Sequence, residues 1–96
     1  MVLGAVLVAV PDPRADAFPS EASSFGQVPR SPLPFPALMV ASSNDPFSSL
    51  DYSREVAHDW GASHMSVGPL GHINAGSGLG AWDEGQRLLR AFVAGL

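Results

Sequence analysis

An aspartate and a histidine stand out because each lies beyond a segment that could form a strand. Asp45 follows the apolar run Ala37–Ala41, and His72 lies in the glycine-rich loop that begins at Gly68. The carboxyl ends of parallel strands meet at one edge of a sheet, so both side chains are expected there. A carboxylate that accepts the Nδ1–H of an imidazole leaves Nε2 free to take the proton of a serine hydroxyl. The pair therefore predicts the acid and the base of a Ser-Asp-His triad, in that chain order.

Both residues also have a structural explanation that involves no chemistry. The sequence Asn44-Asp45-Pro46 is common in turns and at the start of helices, and the proline restricts Asp45 to extended backbone angles. An aspartate and a histidine in this order also arise by chance on unrelated folds. From the residues alone, the pair could be a turn aspartate and a loop histidine bonded to the backbone.

The two remaining histidines raise the question of a metal site. His58 falls on a predicted helix, and His64 falls in a weak predicted strand. Three converging imidazoles could bind zinc, and His58, His64 and His72 would be the candidates. The chain has no H-E-x-x-H or H-x-x-E-H spacing, however, and it has no cysteine. The sequence therefore predicts no metal, and we interpret His58 as a solvent-exposed helix residue.

The charge balance excludes several classes of partner. The 96 residues carry five Arg, no Lys and nine acidic side chains, which gives a formal net charge of −4. Without a basic stripe, neither nucleic acid nor an anionic membrane is an expected partner. The most apolar run, Val2–Val10, is shorter than the roughly 20 residues of a membrane span and lacks the basic residues that open a secretory signal. We predict a soluble, cytoplasmic protein, and the absence of cysteine fits a reducing compartment.

Apolar segments alternate with amphipathic ones, which is typical of a parallel sheet with helices outside it. Strands are predicted at Val2–Val10, Ala37–Ala41 and Ala62–Val67, and helices at Ser49–Trp60 and Ala81–Ala94. The first two strands are uniformly apolar, which indicates burial on both faces. A chain of 96 residues, 46% of them apolar, makes one small domain at most. Because two helices are too few to cover such strands, we expect half of a larger domain whose first strand has an open edge.

A proline-rich connection joins the first two predicted strands. Residues 11–36 hold seven of the nine prolines. The same segment carries five large apolar side chains, Phe18, Phe25, Val28, Leu33 and Phe35. Flexible linkers are poor in such side chains, so we predict an ordered loop that packs over the rest of the protein.

Taken together, these motifs resemble the retinoblastoma-binding-protein-9-like, or YdeN-like, serine hydrolases, a compact branch of the α/β-hydrolase fold. The likeness covers essentially the whole chain. It is carried by the strand Val2–Val10 with the Pro-Asp that follows it, and by Leu33–Pro36, Ala41–Phe47, Trp60-Gly61, Gly71–Asn74 and Ser77–Trp82. The resemblance implies a three-layer α/β/α architecture of about three parallel strands and two main helices. It also implies that Asp45 and His72 are the triad acid and base.

The resemblance further implies that residues 1–96 form a single partial domain, the C-terminal half of an α/β-hydrolase. The nucleophile of that family lies in a G-x-S-x-G elbow upstream of the strand matched by Val2–Val10, and no serine of this chain has that setting. We therefore expect hydrolysis of a small ester or amide, without cofactor, by a triad of which this chain carries only two members, and we expect the chain alone to be inactive. The alternative is a non-catalytic module that associates with itself or with a partner supplying the absent strands.

Overall fold

The computed structural model describes residues 2–16 and 29–96, in which parallel strands alternate with helices. The elements are β1 (Ala5–Val8), β2 (Ala37–Ala41), α1 (Leu50–Trp60), β3 (Ser63–Ser66) and α2 (Asp83–Ala94), with one 3-10 turn at Ala75–Ser77. The sheet order is β1-β2-β3, and both strand pairs are parallel. The predicted α/β class, with three strands and two main helices, is confirmed.

α1 has clear start and stop signals. The side chain of Ser49 caps its N-terminus, because Oγ accepts the backbone N–H of Tyr52 at 3.1 Å. Such a cap contributes about 1 kcal/mol to helix stability. Gly61 ends the helix with a φ of 67°, in the left-handed region that glycine adopts without strain. The helix buries one stripe of side chains against the sheet, and its bounds agree with the prediction to one residue.

The core lies between α1 and one face of the sheet. Met39 and Val56 are 1% and 0% exposed, and Tyr52 and Ala57 are buried beside them. Leu7 pairs in register with Met39 and packs against the same cluster. Burial of a side chain of this size stabilises the fold by about 1.5–3 kcal/mol. This contact therefore ties α1 to β1 and β2 together.

β2 is the central strand and has the predicted bounds. Because side chains alternate across a sheet, Met39 faces α1 while Val40 faces the opposite side. Both are buried. The uniformly apolar sequence of β2 is thus explained by burial on both faces.

β1 is shorter and less buried than the apolar run Val2–Val10 predicts. The strand ends before Ala9, which adopts a left-handed φ of 56°. Val2 and Leu3 precede it and are exposed, and Val8 is 41% exposed. Burial on both faces is therefore wrong for this strand. Its open edge is as expected, since no described residue pairs with the side of β1 away from β2.

α2 lies loosely over the face of the sheet opposite α1. Its C-terminal end reaches Gly4, where an added Cβ would come within 3.0 Å of Leu96 and 3.1 Å of Phe92. None of its residues is buried, and Leu89 and Val93 of its predicted apolar face are exposed. α2 therefore packs only loosely on this face of the sheet.

α2 begins at Asp83, two residues later than predicted. Trp82 precedes it with a left-handed φ of 46° and gives no side-chain cap. The Trp82 ring lies directly against Gly85, where any Cβ would collide with it. Gly85 therefore lets this aromatic ring fold back on the first turn of the helix.

The described parts of the proline-rich connection hold no helix or strand. The part from residue 29 is fastened to the end of α1: the Trp60 indole N–H donates to the Pro29 carbonyl at 2.6 Å, and Leu33 N–H donates to the Trp60 carbonyl at 2.9 Å. Arg30 adds an ion pair with Asp59 at 2.7 Å. An ordered, packed loop is confirmed for this part, whereas Phe18, Phe25 and Val28 lie outside the described residues.

No described helix is long and apolar enough to cross a membrane.

A polar pair joins α1 to β3 beside the apolar core. Ser53 is buried, and its Oγ lies 2.7 Å from Nε2 of His64. Burial lowers the pKa of His64, because it disfavours the charged imidazolium, and the positive charge of Arg54 lowers this pKa further. The folded protein therefore favours a neutral His64.

We expect the free energy of unfolding to decrease as the pH falls below 6.5, the ordinary pKa of a histidine. In that range the unfolded chain binds a proton that the folded chain does not bind until its lower pKa is reached. Urea unfolding followed by circular dichroism at several pH values measures this. His64→Gln should weaken the dependence, while His58→Gln should retain it, because His58 is 91% exposed. An identical pH dependence in His64→Gln and the unmodified chain would contradict the prediction.

The open edge of β1 and the exposed apolar side chains of α2 are expected to cause association. An unpaired strand edge templates pairing with another chain. We predict that the purified chain is oligomeric or partly molten, and that Val8→Lys lowers its mass in light scattering. His58→Lys is the matched control on α1, since His58 is 91% exposed and belongs to neither edge strand, and it should have no such effect. A monomeric chain with one sharp unfolding transition would contradict this and show that the core closes on itself.

Candidate active site

The turn after β2 holds Asp45 in one orientation. One carboxylate oxygen, Oδ1, accepts the backbone N–H of Phe47 at 2.8 Å. Pro46 restricts the backbone of Asp45, and the carboxylate itself is only 2% exposed. A carboxylate so far from water requires hydrogen-bond donors on both oxygens, and the backbone provides only one of the two.

His72 provides the second donor. Its Nδ1 lies 2.9 Å from Oδ2 of Asp45. The Phe47 ring lies against the imidazole, with centroids 4.4 Å apart and planes inclined by 39°. Because an ionised carboxylate only accepts hydrogen bonds, the proton of a neutral His72 belongs on Nδ1. Nε2 then carries the lone pair, and no described residue bonds to it.

The structure therefore brings together the two residues that the sequence singled out. Their elements explain the meeting: β2 and β3 are parallel neighbours, and the turn after each opens at the same edge of the sheet. His72 is 26% exposed, so its ring is reachable while its partner is buried. This is the arrangement in which an imidazole can act as a base with a fixed tautomer.

Two polar residues that the sequence analysis did not select join the same two loops. Ser42 Oγ accepts the backbone N–H of Leu70 at 2.9 Å. The side-chain oxygen of Asn44 accepts the backbone N–H of Gly71 at 2.7 Å and the hydroxyl of Ser42 at 2.9 Å. Small polar residues directly after a buried strand indicate that such bonds form. This pattern does not indicate which residue is the bonding partner.

The backbone beside His72 is strained. Ile73 has a φ of 54°, which is rare for a β-branched residue and costs on the order of 1–3 kcal/mol. Gly71, on the other side of His72, has a φ of 65° that glycine adopts without cost. Two left-handed residues thus flank the imidazole and turn the chain sharply around it.

The other histidines do not join this site. His58 projects into solvent from α1, as interpreted from the sequence, and His64 bonds to Ser53 under the core. Within residues 2–16 and 29–96, no group of three metal-ligating side chains lies close enough to hold an ion. The alternative of three converging histidines is therefore not what the described residues show.

Two open depressions are lined by residues of the loop that carries His72. One of about 460 Å³ is lined by His72 and Phe47 together with Pro46, Leu70, Asn74 and Ser77. The other, of about 400 Å³, lies between the C-terminal end of β1 at Val8 and the loop that carries Ile73, Leu79 and Trp82. Both are mostly flanked by apolar side chains and are open to solvent.

Comparisons with known proteins identify the family of this chain. Residues 1–91 match the serine hydrolase family. The crystal structure of a putative YdeN-like hydrolase from Pectobacterium atrosepticum is similar, with 34% sequence identity and a TM-score of 0.77 over 95% of this chain. The comparison with curated proteins gives no match. The chain belongs to the serine hydrolase family, and the YdeN-like resemblance noted in its motifs is confirmed.

The extent of the match is uneven. This chain is covered almost entirely, yet it spans only 46% of the length of the Pectobacterium chain. The resemblance therefore applies to about half of a YdeN-like hydrolase.

Asp45→Asn is expected to change which nitrogen of His72 carries the proton. An asparagine amide can donate to Nδ1, which must then offer its lone pair, so the proton moves to Nε2. Nitrogen NMR of the imidazole distinguishes the two tautomers. Asp51→Asn removes the same charge from an exposed position of α1 and should leave the tautomer unchanged. A persistent Nδ1–H form in Asp45→Asn would contradict the pairing.

Proposed function

We propose that this chain supplies the acid and the base of a serine hydrolase that cleaves a small ester or amide. The observation that carries the proposal is the 2.9 Å hydrogen bond between His72 Nδ1 and the buried carboxylate of Asp45. Membership of the serine hydrolase family supports the same reaction class. The substrate would be a small molecule, and nothing in the proposed chemistry calls for a cofactor.

In the proposed reaction, Nε2 of His72 takes the proton of a serine hydroxyl as its oxygen attacks the substrate carbonyl. Asp45 holds the ring in orientation and stabilises the imidazolium that forms. His72 then gives the proton to the departing alcohol or amine as the carbon–oxygen or carbon–nitrogen bond breaks. Water attacks the resulting acyl-serine in the same way, which releases the acid and restores the hydroxyl.

The nucleophile of this reaction is proposed to come from a further polypeptide segment. No serine of the chain lies in a G-x-S-x-G sequence. Two serine hydroxyls that bond to residues of the His72 loop have structural partners: Ser42 Oγ accepts the N–H of Leu70, and Ser77 Oγ accepts the N–H of Asn74 at 3.2 Å. The open edge of β1 and the depression at Val8 are where a segment bearing an elbow could pair. That segment would also contribute the oxyanion hole.

A second candidate function is a non-catalytic interaction module. The observations that favour it are the outer edge of β1, with which no described residue pairs, and the exposed Val8, Leu89 and Val93. Such a surface would bind strands of a partner without any hydrolysis. The nucleotide sequence preceding the codon for Met1 separates the two candidates. An in-frame or adjacent reading frame encoding G-x-S-x-G favours the hydrolase, and its absence favours the module.

We predict that the chain alone does not hydrolyse activated esters beyond the weak activity of a free imidazole, and that a fluorophosphonate probe labels none of its serines. Co-expression with a polypeptide that carries the N-terminal half of a YdeN-like hydrolase should give a stable complex with esterase activity. In that complex Asp45→Asn should lower kcat by about 10⁴-fold, because the imidazole adopts the wrong tautomer.

The exposed Asp51→Asn is the matched control and should leave kcat unchanged. Stoichiometric labelling of a serine in the chain alone would overturn the proposed source of the nucleophile. A stable complex in which His72→Ala is as active as the unmodified chain would overturn the assignment of the base.

A further inference from the structure

Three consecutive residues of the His72 loop are each bonded to the turn after β2. Leu70 N–H donates to Ser42 Oγ, Gly71 N–H donates to Asn44 Oδ1, and His72 Nδ1 bonds to Asp45 Oδ2. The distances are 2.9, 2.7 and 2.9 Å. The bonds of Asn44 and Asp45 both span 27 residues of sequence. Neighbours on one loop thus bond to neighbours on the other.

We propose that Asn44, supported by Ser42, is a positioning residue that keeps Nδ1 of His72 on the carboxylate of Asp45. The inference rests on the proposed function, since it concerns the base of the proposed triad. Asn44 touches neither His72 nor a substrate. It acts on the peptide N–H of Gly71, which directly precedes His72, so any loosening there moves the imidazole.

The strain in the loop explains why such a hold is needed. Ile73 has a left-handed φ of 54°, so the loop would lower its energy by leaving this conformation. A hydrogen bond contributes about 0.5–1.5 kcal/mol, which is comparable to that strain. The bonds to Ser42 and Asn44 therefore add to the His72–Asp45 bond in opposing relaxation of the loop.

The geometry at Asn44 is more specific than a turn requires. An asparagine in a turn ordinarily bonds to its own loop. The Asn44 oxygen accepts the hydroxyl of Ser42 in its own turn, which orients that hydroxyl, and it also accepts the N–H of Gly71 from the other loop. Ser42 is buried, and its oxygen in turn receives Leu70 N–H. The Asn44 oxygen thus determines both links that lie beside the Asp45–His72 bond.

The test follows the Nδ1 proton of His72 by NMR in the full chain, co-expressed with a complementing N-terminal hydrolase half if the chain alone associates. Asn44→Ala removes the acceptor of Gly71 N–H. We expect the Nδ1 proton to exchange with water about tenfold faster, the effect of losing about one hydrogen bond. Ser42→Ala should act in the same direction through Leu70.

Two further variants separate positioning from general loss of structure. Asn44→Asp keeps an oxygen at the same place and should restore slow exchange of the Nδ1 proton. Ser43→Ala is the matched control, because Ser43 is exposed and contributes only its backbone N–H, to the Gly68 carbonyl at 3.0 Å. It should leave exchange unchanged. Amide exchange at Met39 and Val56 reports whether the core remains intact in each variant.

Unchanged Nδ1 exchange in Asn44→Ala would overturn the inference. So would faster exchange accompanied by equally faster exchange at Met39 and Val56, because the residue would then only stabilise the fold. The test distinguishes failure of this inference from failure of the proposed function on which it rests. Selective loosening of His72 in a complex that hydrolyses no ester would leave the positioning role intact and refute the hydrolase.

Discussion

The structure depends on one buried carboxylate. Asp45 lies at the end of the central strand with its oxygens almost completely removed from water. A buried charge of this kind is tolerated only with well-placed donors, and here these are the Phe47 N–H and the His72 imidazole. The need to satisfy Asp45 therefore couples the turn after β2 to the loop after β3. The same need fixes the proton of His72 on one nitrogen.

The parallel sheet makes this coupling possible at low cost. β2 and β3 are adjacent and parallel, so the turns that follow them begin side by side, and neither loop must cross the sheet to reach the other. α1 connects the two strands and packs Val56 against Met39. The apolar contact of α1 with the sheet thus holds β2 and β3 side by side. This placement brings the polar residues at their carboxyl ends within hydrogen-bonding distance.

The bounds of an element were predictable where the local sequence pattern determines them. They were less predictable where contacts with distant residues determine them. β2 has an unbroken apolar run, and α1 combines helix-forming residues with a terminal Gly61; both elements lie within one residue of their predicted bounds. β1 and α2 were predicted too long, since Ala9 and Trp82 adopt left-handed angles that no sequence pattern indicates. The Asp45–His72 pair could be inferred from strand order and family likeness. The role of Asn44 could not, because its partner is a backbone N–H 27 residues away.

The successive bonds of Leu70, Gly71 and His72 have a consequence for the freedom of the loop that carries His72. A rigid body held at two points can still rotate about the line that joins them, and a third attachment off that line removes the last rotation. Two attachments here are made by backbone N–H groups, and the third is made by the side chain of His72. Protonation or rotation of the imidazole therefore changes only one of the three, so the ring can exchange its proton while the backbone that carries it stays in place.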